Sequence, residues 1–189
     1  EYQNFYFRLG FVNEIDTKNQ KVKADIGELR YDYLVLATGS KTNFFGNKEI
    51  ERNSVAMKTI PQSLNIRSLI LENFEQALLT NDVHDRHSLI SFVLVGGGPT
   101  GVELAGALAE MKKAILPKDY PDLDVRKMQI NLIQSSDRIL DSMSEKSSDA
   151  AEDFLIKLGV NVWKNVRVTG YDGSTVTTNT DLTFETATV

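Results

Sequence analysis

One stretch constrains this chain more than any other: VLVGGGPTGVELAGALAEM, residues 93–111. An apolar run ends in three glycines, a fourth glycine follows at Gly101, and the pattern then turns helical. Gly96, Gly98 and Gly101 fit G-x-G-x-x-G, which has a specific physical use between a strand and a helix. Gly96 permits the tight turn off the strand. Gly98 removes a side chain, so that a diphosphate can approach the backbone. Gly101 lets helix and strand pack closely. The helix N-terminus then offers free N–H groups and a positive dipole end to the phosphates. Pro99 falls in the first turn, where a missing N–H costs little.

Such a motif carries weight only in context. Here LISFVLVG reads as a buried strand before it, a helix follows with Val102, Ala105, Leu108 and Ala109 on one face, and MQINLIQS reads as the next strand. The order strand, helix, strand implies a βαβ unit with a parallel sheet. The fold class is therefore α/β, a Rossmann-like NAD(P)-binding domain with a parallel sheet and a β-hairpin. The second strand of such units usually ends in Asp or Glu, which takes the ribose hydroxyls. The matching residue here is Gln134, followed by Ser135 and Ser136. An amide still bonds a ribose hydroxyl but does not repel a 2′-phosphate. NADH is the favoured ligand, and charge alone leaves NADPH open. Arg138 either assists a phosphate or is a surface arginine.

The rest of the chain supplies the frame. Residues 5–37 read as β, including the alternating FYFRLGFVNEID and the fully apolar YLVLAT. Residues 64–79 read as a helix approached by Pro61, with Ile66, Leu69, Ile70, Phe74, Ala77 and Leu78 on one face. TNDVHDRHS reads as a polar loop. The helix after the glycines is expected to stop near Leu116, at Pro117 and the loop KDYPDLDVRK. Ser144 is a candidate N-cap for a helix through Leu158, with Gly159 as its stop. VNVWKNVRVTGY and STVTT are expected to pair as a hairpin across Asp172 and Gly173.

Composition excludes several classes. The formal net charge of -5 argues against a nucleic-acid partner, which needs clustered Lys and Arg. With no cysteine, the chain holds no disulfide, thiolate metal site or redox pair. His84 and His87 sit in polar sequence without the partners a metal needs, so no metal is expected. No apolar run is long enough for a membrane-spanning helix. The chain opens at Glu1 and closes at Val189 in the strand-like FETATV, so it reads as an internal piece of a longer protein.

Two motifs together resemble a known family. YDYLVLATGS, residues 31–40, is similar to the Y-D-x-L-h-h-A-T-G segment that closes the FAD domain of two-dinucleotide flavoproteins. GGGPTGVELAGALAE, residues 96–110, is similar to their NAD loop. The segments SKTNFFG, IRSLILENFEQA and ILPKDYPDLD add a resemblance to type II NADH dehydrogenases. These are single-chain, FAD-containing NADH:quinone oxidoreductases of the membrane surface.

The resemblance implies that residues 1–45 are the trailing β segment of an FAD domain and 46–189 the NAD(P)-binding domain. It implies hydride transfer from NADH to FAD, then two electrons to a quinone. Ala37, Thr38 and Gly39 then face FAD or the interdomain turn. Gly96, Gly97, Gly98, Pro99, Thr100, Gly101, Glu103 and Gln134 serve NAD, and Glu103, in the first turn of the helix, lies near nicotinamide and flavin. Quinone and membrane contacts fall to parts outside this chain. The intact protein would be cytoplasmic, peripheral on the inner face of the cytoplasmic membrane, with a homodimer compatible. The alternatives are the pyridine-nucleotide domain of a ferredoxin- or disulfide-type flavoprotein reductase, and a non-catalytic nucleotide-binding module. The isolated chain is expected to be inactive.

Overall fold

The computed structural model describes residues 4–189; the first three residues of the expected segment 1–45 lie outside them. Contacts divide the chain into Glu1–Ser40 and Lys41–Val189.

The first unit is an antiparallel meander of β1 (Val12–Asp16), β2 (Lys21–Ala24) and β3 (Gly27–Arg30). Asp16 shapes the first turn by accepting the amides of Lys18 and Asn19. Gly27, at φ +115°, makes the second turn possible. Two expectations fail here. The strand FYFRLGFVNEID begins only at Val12, and YLVLAT forms no strand. A strand needs a neighbour for its backbone groups. Among the described residues none pairs with 33–38, and Tyr33 and Val35 are 95% and 85% exposed.

The second unit is built on a parallel sheet of β4 (Ser91–Val95), β5 (Gln129–Ile133) and β6 (Asn161–Trp163), in the order β4-β5-β6. On the other edge of β4, Phe92 bridges in parallel to Thr188. Read from β6, this is the 3-2-1-4 start of a doubly wound sheet. Six helices lie in this unit: α1 (Lys48–Asn53), α2 (Ile60–Leu79), α3 (Val83–Leu89), α4 (Pro99–Ala114), α5 (Leu116–Asp119) and α6 (Glu145–Lys157). No helix among the described residues is long and apolar enough to cross a membrane.

Strand alternation sorts the core. Phe92, Ile130 and Leu132 face one side, against Ile66, Ile70, Phe74 and Ala77 of α2 and Ala105, Leu108 and Ala109 of α4. Val93 and Ile133 face the other side, against Val166, Tyr171 and Val176. Phe74 is fully buried and meets Phe92 edge-on at 5.9 Å and Tyr120 at 5.6 Å. Asn131 orders the sheet edge, its side-chain oxygen accepting from Asn161 and from the indole N–H of Trp163, each at 3.1 Å.

Several helix limits differ from the sequence reading, each for a local reason. α2 starts at Ile60, because Thr59 and Gln62 form a reciprocal capping box and Pro61 fits the first turn. The TNDVHDRHS segment contains α3, whose amides at His84 and Asp85 are capped by Asp82. Pro117 does not end helical structure; it sits in the first turn of α5. Ser144 caps α6 by accepting the amide of Ser147, and Gly159 follows at φ +88°.

The hairpin across Asp172 and Gly173 is formed by β7 (Val168–Tyr171) and β8 (Thr175–Thr178), with β9 (Thr183–Glu185) added antiparallel. Asp172 accepts the amides of Ser174 and Thr175 at 2.8 Å each. VNVW is not part of it. Asn161–Trp163 pair instead in parallel with β5, where the apolar side chains of the strand find the sheet core.

Candidate functional site

The glycine loop leaves the carboxyl end of β4 and opens α4. Gly96 is at φ +110°, a conformation that L side chains rarely adopt, and its amide donates to the Ile133 carbonyl at 2.8 Å. Gly101 is required by packing, since a Cβ there would overlap the Gly96 carbonyl oxygen. Gly98 is the N-cap of α4 and differs from both. It lies in extended backbone, and a Cβ there would meet nothing within 4 Å. The surface in front of the helix start is therefore open.

The first backbone bond of α4 runs from the Val102 amide to the Gly98 carbonyl at 3.0 Å. Among the described residues, the amides of Thr100 and Gly101 have no carbonyl partner. They sit at the positive end of a 16-residue helix beside the space at Gly98. The arrangement suits an anion approaching along the backbone.

Gly97 is held differently. Its amide donates to the Gln134 side-chain oxygen at 2.8 Å, and its carbonyl accepts the Leu140 amide at 2.7 Å. A Cβ at Gly97 would lie 2.8 Å from Ile139 Cγ2 and 3.1 Å from Gln134 Cβ. The Gln134 amide nitrogen donates to Ser136 Oγ at 2.5 Å, and that hydroxyl donates to the Arg138 carbonyl at 3.0 Å. Arg138 in turn donates to the Asp141 carbonyl at 2.7 Å. The sequence pointed to Gln134, with Ser136 just after it, but not to Ile139 or Leu140, an apolar pair after a polar run.

Glu103 is exposed and lies in the second turn of α4, because the helix begins at Pro99. The expected first-turn placement is thus corrected, and with it the argument from the helix dipole, which fades beyond the first turn. Among the described residues Glu103 makes no ion pair or side-chain hydrogen bond. Ala37, Thr38 and Gly39 lie in the first unit and are exposed, with Gly39 at φ +72°.

A cavity of about 600 Å³ lies away from the loop, lined by Ala77, Val83, His87, Ile90, Leu123 and Lys127 among others. It sits at the amino ends of β4 and β5, whereas ligands of open α/β sheets bind at the carboxyl ends. At its rim His84 Nε2 is 3.2 Å from Glu185 Oε1, both exposed, a pair worth little in water. Among the described residues no three His, Asp or Glu side chains form a metal cluster.

The pyridine nucleotide-disulphide oxidoreductase family model matches residues 2–189. A type II NADH:quinone oxidoreductase of Mycobacterium tuberculosis is 34% identical over 179 residues, 93% of this chain and 39% of that relative. An external alternative NAD(P)H-ubiquinone oxidoreductase of Arabidopsis thaliana mitochondria is 35% identical over 145 residues, 76% of this chain and 25% of its own length. The chain thus spans well under half of the relatives it matches. Among solved structures, NDH2 from Plasmodium falciparum in complex with NADH superposes with a TM-score of 0.77 at 23% identity, covering 95% of this chain and 38% of that one. A ferredoxin reductase from Rhodopseudomonas palustris gives 0.62 at 16% identity, covering 95% and 39%. These two likenesses speak to the fold.

Proposed function

The chain belongs to the pyridine nucleotide-disulphide oxidoreductase family, and from that premise we propose that it is the NAD(P)H-binding portion of a flavoprotein that oxidises NADH and reduces a membrane quinone. The observation that carries the reading is the open approach at Gly98, in front of the unpaired amides of α4 and at the carboxyl end of β4. The diphosphate of NADH lies on Gly96–Gly101, and the adenosine ribose lies toward Gln134. The names of the relatives, with NADH or NAD(P)H as donor and quinone as acceptor, support the choice of reaction.

Within the intact protein, residues 46–189 act as the nucleotide domain and 1–45 belong to the flavin domain, with Ala37, Thr38 and Gly39 on the FAD side. FAD, when bound, would supply a hydride acceptor for NADH and a two-electron donor for the quinone. The protein's part is to hold the nucleotide by its diphosphate and orient its nicotinamide. Glu103, exposed one turn into α4, positions the nicotinamide end. The sequence contains one G-x-G-x-x-G, used here for NADH. The quinone and the membrane surface are met by other parts of the intact enzyme.

The test is made on the full-length protein. It is expected to carry a flavin absorbance, to bleach on addition of NADH, and to reduce a short-chain ubiquinone analogue. Flavin without quinone reduction, but with disulfide or ferredoxin reduction, overturns the acceptor. Absence of flavin and of turnover overturns the whole reading in favour of a non-catalytic nucleotide-binding module.

A further inference from the structure

The middle glycine of the loop is explained by something other than a phosphate. Gly98 faces open space and Gly96 makes the turn, but both polar groups of Gly97 are already used. Its amide is bonded to Gln134 and its carbonyl to Leu140. The segment after β5 therefore grips the glycine loop through Gly97. Three independent features point the same way.

First, the side chains that would block a Cβ at Gly97 are Ile139 and Gln134, both from the gripping segment. Second, Leu140 adopts φ +49°, a left-handed conformation that is strained for a leucine. It is nearly buried, at 7% exposure, and in that conformation its amide reaches the Gly97 carbonyl. Third, the Gly97 amide is a backbone donor and can bond only to the Gln134 amide oxygen. The Gln134 amide nitrogen is then left to donate to the Ser136 hydroxyl oxygen, whose own proton has the Arg138 carbonyl at 3.0 Å and the Asp141 carboxylate at 3.4 Å within reach.

We propose that Gln134 is a positioning residue: held by Ser136, it clamps Gly97 and so sets the shape of the diphosphate loop before any nucleotide arrives. This deepens the reading of the site as a nicotinamide-nucleotide loop. It changes the role of Gln134 from reading the ribose to shaping the loop. A loop shaped in advance avoids an ordering cost on binding, and the same diphosphate is present in NADH and NADPH. Losing the clamp must weaken both nucleotides by the same factor. A residue that reads the adenosine ribose would instead change the ratio between them.

The experiment uses the full-length enzyme and the variants Gln134→Leu, Gln134→Glu and Ser136→Ala. A carboxylate keeps an acceptor for the Gly97 amide, whereas leucine has none. Gln134→Leu is expected to raise KM for NADH and NADPH alike, by about five- to tenfold, with kcat within about twofold. Gln134→Glu is expected to recover most of the NADH affinity, and Ser136→Ala to shift both nucleotides in the direction of Gln134→Leu by a smaller factor. Hydrogen exchange over residues 93–101 without nucleotide supplies a second readout. Faster exchange in Gln134→Leu and in Ser136→Ala is expected. Unchanged exchange in both overturns the clamp, as does a Gln134→Leu effect on KM confined to one nucleotide. Because exchange is read without ligand, it tests the clamp even if the wild type fails to bind NADH, and that failure would count against the nucleotide site instead.

Discussion

Gly98→Ala and Gly101→Ala add the same methyl group three residues apart, and their effects should separate stability from binding. At Gly101 the new Cβ would overlap the Gly96 carbonyl oxygen and lie 3.3 Å from Leu132 Cδ1. The atom struck is backbone, so it cannot turn aside as a flexible side chain would. Overpacking of this kind costs about 1–3 kcal/mol, and relief of the helical glycine returns about 1 kcal/mol. The clash is with the β4–α4 turn itself, so the upper part of that range applies and a net loss of about 1–2 kcal/mol is expected. At Gly98 the Cβ meets nothing within 4 Å and the backbone is extended. The only stability cost is a poorer N-cap, about 0.5 kcal/mol. That methyl does fill the open approach, so NADH should weaken by about tenfold or more while the fold persists. Urea denaturation and NADH titration of the full-length protein measure the two effects. If Gly98→Ala were destabilised as much as Gly101→Ala, or bound NADH normally, the division of labour among the glycines would be wrong.

Phe74→Ala removes a fully buried ring that meets Phe92 and Tyr120, and should cost about 3–5 kcal/mol by urea denaturation. Burial, with a smaller contribution from the charge of Asp172, pushes the Tyr171 hydroxyl up to about 12. Its folded value lies above the ordinary one near 10, so the stability it contributes is present below that value and lost as pH rises toward about 12. Ultraviolet titration should show a tyrosine ionising at about 12, and Tyr171→Phe should remove that late step. Glu103→Gln in the intact enzyme should lower NADH-dependent turnover by about tenfold or more. Unchanged kinetics would leave Glu103 no role beyond the surface of α4.

The relation between sequence and structure is clearest at particular residues. The βαβ unit, the α4 start at Pro99, the Ser144 cap and the turn at Asp172 were all legible, because each depends on spacing or on a bond made within a few residues. The apolar runs around β4 and β5 were legible for the same reason. YLVLAT was not, since an apolar run becomes a strand only beside another strand. VNVW was misassigned because a short β-prone run does not say which sheet it will join; its partner, β5, is some thirty residues away. Asp82 and Thr59 moved helix starts by making caps that the apolar pattern does not register.

At the site the same division holds. G-x-G-x-x-G, read between an apolar strand and a helix pattern, identified the strand-to-helix turn, because the backbone geometry of that turn is local. Gln134 was located by its place after the second strand. What it does there was decided only by tertiary structure, which brings its amide against Gly97 across 37 residues. The same folding carries Leu140 to the Gly97 carbonyl and Ile139 to where a Cβ would stand. A sequence lists which residues are able to bond. Which of them meet depends on how β4 and β5 lie in the sheet, and that is set by the packing of the whole core.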